Sequence, residues 1–250
     1  MPAIELSTTR DALLSGRVVY EQPAKGYRVS VEAPLLAAFA IARRPRPFRA
    51  LVDLGAGPGA VGLVLTVTGW ARRATLVELD PTHAALARVN AEHNACADRV
   101  EVFEGSVTRV RGLRVDLAVA NPPWFDVDDG PTATGRARAG ARAFVEGSLE
   151  AFVRAAARSL GRDGRLVLSF PASRVTELLA TCRGRGLHGK RLRFVHPRPQ
   201  REAQVVFLEA KPGRPGGLVI EAPLAIRGEQ GEDYTEEATR VLTGAAFARA

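Results

Sequence analysis

The chain has 250 residues, of which 46% are hydrophobic, and carries a formal net charge of +8 at pH 7. It is long enough for one substantial core, and it contains no run of about 18 apolar residues such as a membrane-spanning helix requires. Residues 1–6 lack a basic-then-apolar signal sequence, and the two cysteines, Cys96 and Cys182, show no metal-ligand spacing. We therefore expect a cytoplasmic protein without a membrane segment, a disulfide framework or a metal site.

Arginine supplies almost all of the positive charge, because the only lysines are Lys25, Lys190 and Lys211. Basic side chains neutralise phosphates, so the excess favours a nucleic-acid partner. Arginine- and alanine-rich usage is also typical of a GC-rich genome. The charge by itself leaves both explanations open.

The central part of the chain alternates between predicted strands and predicted helices. Short Val- and Leu-rich runs bounded by turn residues are typical of strands buried on both faces of a parallel sheet. Such runs lie at 50–54, 74–79, 99–103, 115–120 and 165–170. Helices are predicted between and after them, at 60–70, 81–94, 149–160 and 175–183. This alternation predicts an α/β fold with a doubly wound sheet and helices on both faces.

The remaining segments indicate loops and one antiparallel pair. Residues 126–142 are rich in Gly, Pro, Asp, Thr and Arg, which predicts a long loop, and 161–164 predict a turn. The runs at 191–195 and 204–210 have no helix between them, so they predict two antiparallel strands at one edge of the sheet. The segments before and after the core are predicted to be additions to a single domain.

A glycine turn follows the first strand of this predicted sheet. Gly55, Ala56, Gly57 and Gly59 lie at a strand end, where ligands bind in open α/β sheets. Glycine permits a positive φ and a close approach of the backbone to a ligand. Asp53, at the end of the strand, is predicted to bind loop amides or, through water, the amino-acid part of a cofactor. The alternative is a plain strand-to-helix turn.

Glu78 ends the second strand, where an acidic side chain can accept hydrogen bonds from both hydroxyls of a ribose. This mechanism needs an uncharged 2′-hydroxyl and argues against a phosphorylated dinucleotide. Residues 57–62 also read G-x-G-x-x-G, but the match starts inside the loop and ends within the predicted helix, so we interpret it as accidental. Together, the turn and Glu78 predict a site for a nucleotide or for S-adenosylmethionine (SAM).

The sequence Asn121-Pro122-Pro123-Trp124 follows the fourth strand. The Asn121 side-chain oxygen and the Pro122 carbonyl are suited to accept the two N–H groups of a planar amino group, and proline stiffens that arrangement. Trp124 is suited to stack on a base. Taken alone, the same residues also fit an ordinary turn and a buried aromatic. Their position at the same sheet edge as the glycine turn favours an amino-methyl-acceptor site, with Asn121, Pro122 and Trp124 as its catalytic residues.

These segments give the chain a resemblance that covers roughly residues 20–245. The matching segments are 26–36, 53–57, 77–80, 88–94, 121–124, 195–198, 223–224 and 233–237. In them the chain resembles class I SAM-dependent N6-adenine methyltransferases, and more closely the bacterial tRNA1(Val) adenine-37 N6-methyltransferase family. The resemblance implies a Rossmann-like, seven-stranded, mostly parallel sheet with an antiparallel edge strand. It divides the chain into an extension on the cofactor side (1–45), a core (46–212) and a C-terminal extension of the same domain (213–250).

The resemblance implies SAM as cofactor and the N6 amino group of an adenine in RNA, most closely tRNA, as acceptor. By position, Asp53, Gly55 and Gly57 line the methionine side of SAM, and Glu78 binds its ribose. Ser106 stands where the family usually has an aspartate that contacts the adenine of SAM. Two further departures are Glu32, in place of an aspartate, and Trp124, in place of tyrosine or phenylalanine.

Further residues are assigned to the substrate. Arg136, Arg138 and Arg142 are expected to bind RNA phosphates or to lie on a solvated loop. The other candidate substrate-binding residues are Tyr27, Arg28 and Glu32. We expect a monomer. The alternatives left open are a protein glutamine N5-methyltransferase, a ribosomal RNA guanine-N2 methyltransferase and a noncatalytic RNA-binding relative.

Overall fold

A computed structural model of the protein describes residues 7–25, 28–121, 148–213 and 215–248, and one large sheet forms its centre. The strands are β1 (Thr8–Leu13), β2 (Val18–Pro23), β3 (Leu51–Leu54), β4 (Ala74–Glu78), β5 (Val100–Glu104), β6 (Val115–Ala120), β7 (Leu160–Pro171), β8 (Leu187–His196), β9 (Val205–Pro212), β10 (Val219–Ile220) and β11 (Leu224–Ala225). The helices are α1 (Glu32–Ile41), α2 (Ala60–Val67), α3 (Pro81–His93), α4 (Leu149–Ser159), α5 (Val175–Gly184) and α6 (Glu236–Leu242). The predicted loop at 126–142 lies outside the described residues.

The large sheet is doubly wound and mostly parallel, as the sequence predicts. Its order is β10-β8-β9-β7-β6-β3-β4-β5, with β11 also pairing with β8, so within the described residues this sheet has nine strands rather than seven. β5, β4, β3, β6 and β7 are parallel neighbours, whereas β9 is antiparallel to both β7 and β8. The antiparallel strand β9, expected at the edge, therefore lies two positions in from the edge strand β10. The short connection from β8 lets β9 fold back into the gap between β8 and β7.

The predicted turn at 161–164 is wrong, because these residues belong to β7. Val115 of β6 pairs with Leu160 and Leu117 pairs with Arg165, so residues 161–164 form a bulge opposite a single residue of β6. A Cβ at Gly164 would lie 3.0 Å from the Val115 carbonyl oxygen. Gly164, which suggested a turn, thus allows the backbones of β7 and β6 to approach closely within the sheet.

Two hydrophobic clusters cover opposite faces of the sheet. Leu117 and Val119 of β6 belong to the first cluster, while Ala118 and Ala120 belong to the second. This division follows from strand geometry, in which successive side chains point to opposite faces. Helices α1, α2, α3 and α6 contribute to the first cluster, and α4 and α5 to the second. Both faces are therefore covered, which explains the continuous apolar runs of the central strands.

The N-terminal hairpin of β1 and β2 is attached to α3 through two asparagine side chains. Asn94 accepts a hydrogen bond from the Val19 N–H at 2.9 Å and donates one to the Val19 carbonyl at 2.7 Å. Asn90 binds the N–H and carbonyl of Glu21 in the same manner, at 2.6 and 2.8 Å. Asn90 also donates to the Pro58 carbonyl at 3.0 Å, so one buried side chain joins the hairpin to the glycine turn.

The C-terminal segment packs on the same core. Helix α6 contacts α1, and the Trp70 indole N–H donates to the Phe247 carbonyl at 3.0 Å. Phe247 is only 1% exposed. These contacts agree with an extension of one domain, although the boundaries at 45 and 212 remain predictions. Across the described ranges the longest helix, α3, has 13 residues, and none is both long and apolar enough to cross a membrane.

Candidate active site

The candidate site lies at the edge where the parallel strands end. Because β3, β4, β5 and β6 are parallel, their carboxyl ends meet at one edge of the sheet. Gly55 directly follows β3, Glu78 ends β4, and Asn121 directly follows β6. Crevices at this edge are where open α/β sheets bind ligands. The structure thus brings the glycine turn, the acidic residue and the asparagine to a common edge.

The glycine turn is held against β4 by its own backbone. The N–H groups of Gly55 and Ala56 donate to the Val77 carbonyl at 2.9 and 3.0 Å. Gly57 has φ +55°, and a Cβ built on it would meet nothing within 4 Å. Gly59 has φ +97°, but a Cβ there would lie 2.9 Å from Leu76 Cδ1. Gly57 therefore faces open space beside the turn, whereas Gly59 is confined by the core.

Asp53 fastens the end of β3 to the first turn of α2. Its side chain is 1% exposed, and its Oδ2 accepts a hydrogen bond from the Gly62 N–H at 2.8 Å. Burial raises the pKa of Asp53 to about 7; the Gly62 N–H opposes this rise and the negative charge of Glu78 adds to it. Asp53 thus binds an amide of the helix that follows the turn. Its contact with a cofactor remains a prediction.

Gly62 has a structural role that the sequence interpretation missed. It lies within α2, as expected, and its lack of a side chain lets α2 pack closely on β3 and β4. A Cβ there would overlap Leu76 Cδ2 and would lie 3.2 Å from Asp53 Oδ2. Close helix–strand packing is the part played by the last glycine of dinucleotide-binding turns. The agreement of residues 57–62 with that pattern therefore has a physical cause in the packing of α2.

Glu78 holds the turn in place while it presents a carboxylate to the crevice. Its Oε2 accepts from the Gly57 N–H at 2.7 Å and its Oε1 from the Asp80 N–H at 2.8 Å. The residue is 9% exposed. Each carboxylate oxygen has two lone pairs, so one acceptor position remains on each for a pair of hydroxyls. This geometry suits the predicted binding of a ribose.

Ser106 is buried and its hydroxyl is engaged within its own turn. It caps the single 3-10 turn Val107–Arg109, accepting from the Thr108 N–H at 3.2 Å, and its Oγ lies 2.8 Å from Thr108 Oγ1. A direct contact of this hydroxyl with a cofactor would compete with the bonds to Thr108. The role of Ser106 in cofactor binding therefore remains a prediction, and Thr108 would compete with the cofactor for its hydroxyl.

Asn121 is oriented by a neighbour that the sequence interpretation missed. Ala120 pairs with Leu168, so Asn121, directly after β6, lies beside Ser169 of β7. The Ser169 hydroxyl donates to Asn121 Oδ1, and Ser169 is 2% exposed. The signal in the sequence is a single serine within the otherwise apolar run 166–170. This contact fixes which way the Asn121 amide faces, and Oδ1 retains a second lone pair.

Two of the candidate substrate residues are described. The Arg28 guanidinium donates to Asp11 Oδ2 at 2.9 Å and to Thr9 Oγ1 at 2.8 Å, so it also stabilises the hairpin. Glu32 begins α1, burial raises its pKa, and none of the described residues donates a hydrogen bond to its carboxylate. Both substrate roles remain predictions. The other predicted site residues lie outside the described ranges: Tyr27, Pro122, Trp124, Arg136, Arg138 and Arg142.

Comparisons with known proteins identify the family of this chain. Residues 35–177 match the model of the methyltransferase small domain family. A protein of Porphyromonas gingivalis named tRNA1(Val) (adenine(37)-N6)-methyltransferase is 30% identical over 167 residues, which cover 64% of this chain and 65% of that protein. One of the same name from Aeromonas hydrophila is 32% identical over 163 residues, covering 64% and 67%. The chain thus matches about two thirds of the length of these relatives.

Solved structures share the fold. A protein of Agrobacterium tumefaciens described as a predicted O-methyltransferase has a TM-score of 0.66 and 26% identity, covering 85% of this chain and 95% of its own. The ribosomal protein L11 methylase of Lactobacillus delbrueckii subsp. bulgaricus has a TM-score of 0.52 at 14% identity, covering 73% and 78%. At that identity the second likeness concerns the fold alone. These comparisons confirm the expected family resemblance and the Rossmann-like fold.

Proposed function

Because the chain belongs to the methyltransferase small domain family, we propose that it is a SAM-dependent methyltransferase acting on the N6 amino group of an adenine in tRNA. The observation that carries this proposal is the position of Asn121, whose oriented amide lies at the same sheet edge as Glu78 and the glycine turn. The names of the relatives from P. gingivalis and A. hydrophila support adenine in tRNA as the acceptor.

The described residues fit SAM. Glu78 keeps an acceptor on each carboxylate oxygen for the ribose hydroxyls. The open space at Gly57 leaves room for the cofactor beside the backbone, and Asp53, Gly55 and Gly57 would line its methionine side, with Ala56 in the same turn. When bound, SAM supplies a methyl group that is already activated by attachment to a sulfonium centre.

Asn121 would act on the amino group of the acceptor. The lone pair of an adenine amino nitrogen is delocalised into the ring, so the nitrogen is a poor nucleophile. Asn121 Oδ1 and the Pro122 carbonyl would accept its two N–H groups and favour a more tetrahedral nitrogen with an available lone pair. Ser169 holds the Asn121 oxygen in place. Orientation and electrostatics supply most of the rate, and this step needs no dedicated general base.

The acceptor is tested by incubating the protein with labelled SAM and with tRNA, ribosomal RNA and release factors, followed by digestion and identification of the product. N6-methyladenosine in tRNA is the expected result. Methylglutamine, N2-methylguanosine or a ribose O-methyl group would refute adenine as the acceptor. Asn121→Ala should abolish transfer, and full activity of this variant would refute the role of the amide.

One observation favours a second candidate, a noncatalytic RNA-binding relative. The Ser106 hydroxyl is engaged with Thr108 and carries no charge to assist a hydrogen bond to the cofactor. Titration calorimetry separates the two functions. SAM binding with a dissociation constant near the micromolar range supports the enzyme, whereas tRNA binding without any heat of SAM binding supports the relative.

A further inference from the structure

Four arginines lie together on the outer surface of the α4 and α5 layer. Arg154 and Arg158 occupy successive turns on one face of α4, about 6 Å apart along the helix axis. Arg111 follows the turn Val107–Arg109, which packs against α4, and Arg185 follows α5 and forms an ion pair with Glu150 in the first turn of α4. We call Arg111, Arg154, Arg158 and Arg185 the arginine patch.

The charge of the arginine patch is poorly balanced. Glu150 pairs with Arg185, but Arg111 donates its Nη1 hydrogen bonds to the carbonyls of Thr108 and Val110, at 2.6 and 2.7 Å. In the part of the chain that the structure describes, neither Arg154 nor Arg158 has a carboxylate oxygen within 4.0 Å. Four guanidinium groups thus share one carboxylate.

The mutual repulsion of the four arginines opposes folding. Repulsion from Arg111, and then from Arg154 and Arg185, lowers the pKa of Arg158, although an arginine stays charged. Like charges four residues apart on a helix are destabilising. A polyanion bound across the patch would convert this repulsion into attraction.

The patch lies on the helix layer that covers one face of the sheet, away from the candidate site. The turn Val107–Arg109 begins directly after Ser106, near the carboxyl end of β5. Helix α4 runs from the carboxyl edge, where β6 ends, towards the start of β7. Arg158 lies at the end of α4 that leads into β7, and Arg111 and Arg185 lie on the segments that lead into β6 and β8. The patch therefore lies towards the amino ends of the strands, at the opposite side of the sheet from the edge that carries Asn121. An RNA with a base at Asn121 would reach this surface with backbone that runs along the outer face of α4, whose 11 residues span about 16 Å.

We propose that the arginine patch binds backbone phosphates of the RNA substrate, away from the methylated base. Guanidinium groups match phosphate geometry through paired, charge-assisted hydrogen bonds. This inference rests on the proposed function, in that RNA is taken as the substrate. The arginine patch would give the RNA a second contact with the protein besides the crevice, which adds affinity for a long RNA without adding base specificity.

Charge reversal with a matched control tests the proposal in the full-length protein. The test variant is Arg154→Glu with Arg158→Glu, and the control is Arg72→Glu with Arg73→Glu, two exposed neighbouring arginines between α2 and β4. Both variants change the net charge equally. Binding of unmodified tRNA is measured over a range of salt concentrations, without SAM. Arg154→Gln with Arg158→Gln serves as a milder variant, because glutamate near the carboxyl end of α4 opposes the helix dipole.

The test variant should lose roughly 10-fold or more in tRNA affinity at about 0.1 M salt, with a slope of log affinity against log salt that is reduced by about 1.4–1.8. The control should keep the wild-type slope. SAM affinity and methylation of a short single-stranded oligonucleotide should remain unchanged. Equal salt slopes for the test and control variants would overturn the proposal.

Three further outcomes are decisive. If these arginines bind vesicles of phosphatidylcholine and phosphatidylserine but make no difference to tRNA binding, the partner is a membrane surface and the proposal is wrong. If tRNA binding depends on the patch but no RNA is methylated, the patch is supported and the proposed function fails. If tRNA is methylated with equal KM by the test and control variants, the function stands and the patch fails.

Discussion

Replacing Ser169 by alanine tests how Asn121 is presented to the acceptor. The change removes the hydroxyl that donates to Asn121 Oδ1 and replaces none of the other residues named in the site. A neutral hydrogen bond contributes about 0.5–1.5 kcal/mol, and about 1.4 kcal/mol corresponds to a tenfold change in rate. If the bond acts only on the orientation of Asn121, kcat should fall roughly 2- to 12-fold. Asn121 is half-buried, so water can replace part of the lost bond, which favours the lower half of this range.

Ser159→Ala is the matched control. Ser159 is also 2% exposed, and its hydroxyl donates to the Ala155 carbonyl at 2.9 Å within α4, on an element that does not contribute a strand end to the crevice. Both variants lose one buried hydroxyl, so a general effect on packing should appear in both. The assay measures kcat with saturating tRNA and SAM, the two KM values, and thermal unfolding.

We expect Ser169→Ala to lower kcat with both KM values unchanged, and Ser159→Ala to leave kcat unchanged. A purely structural role for Ser169 would lower the unfolding temperature without a selective loss of kcat. Equal kcat values in the two variants would refute the reasoning that Asn121 needs an oriented amide.

Three other predictions concern buried groups. Burial raises the pKa of Asp53 from 3.8 to about 7, so the folded state binds the proton more tightly than the unfolded state. The free energy of unfolding should therefore fall by up to about 4 kcal/mol as pH rises from about 4 to 7. Denaturation of Asp53→Asn over the same pH range should lack this fall. Gly62→Ala should lower the free energy of unfolding by about 1–3 kcal/mol, because the added methyl group overpacks against Leu76. Gly57→Ala, in open space at φ +55°, should lower it by about 1–2 kcal/mol through backbone strain. Relative to its loss of stability, Gly57→Ala should lose more SAM affinity than Gly62→Ala, which denaturation and titration calorimetry would show. Burial raises the pKa of Cys182 to about 12, so iodoacetamide at pH 8 should label it only after unfolding, and rapid labelling of the native protein would contradict its burial.

The strands and the edge that carries the site could be predicted from the sequence for a definite reason. Apolar runs predict strands that are buried on both faces, and Gly55, Glu78 and Asn121 stand at the ends of three such runs. In an open α/β sheet, the carboxyl ends of parallel strands form the edge that binds ligands. The rule needs no knowledge of which side chains meet. It therefore places the turn, the acid and the asparagine at one edge without any contact being specified.

The internal partners of the site residues could not be predicted in this way. The bond between Asn90 and Glu21 joins residues 69 positions apart, and from the sequence Asn90 is indistinguishable from a surface residue of α3. Likewise, a serine in place of an aspartate at Ser106 does not reveal that its hydroxyl caps the next turn. Gly62 resembled a chance match because its role depends on the position of Leu76. Each of these features is a property of tertiary packing.

The attachment of the hairpin to α3 also bears on the exposed backbone groups at the edge of the hairpin. A strand at the edge of a sheet exposes N–H and carbonyl groups that can pair with another chain. Asn94 and Asn90 form hydrogen bonds with the N–H and carbonyl groups of Val19 and Glu21, in the way that the backbone of a further strand beside β2 would. The two side chains thus close a sheet edge to intermolecular pairing. Replacing both by alanine would leave β2 open to a strand from a second copy, and association would then grow with protein concentration.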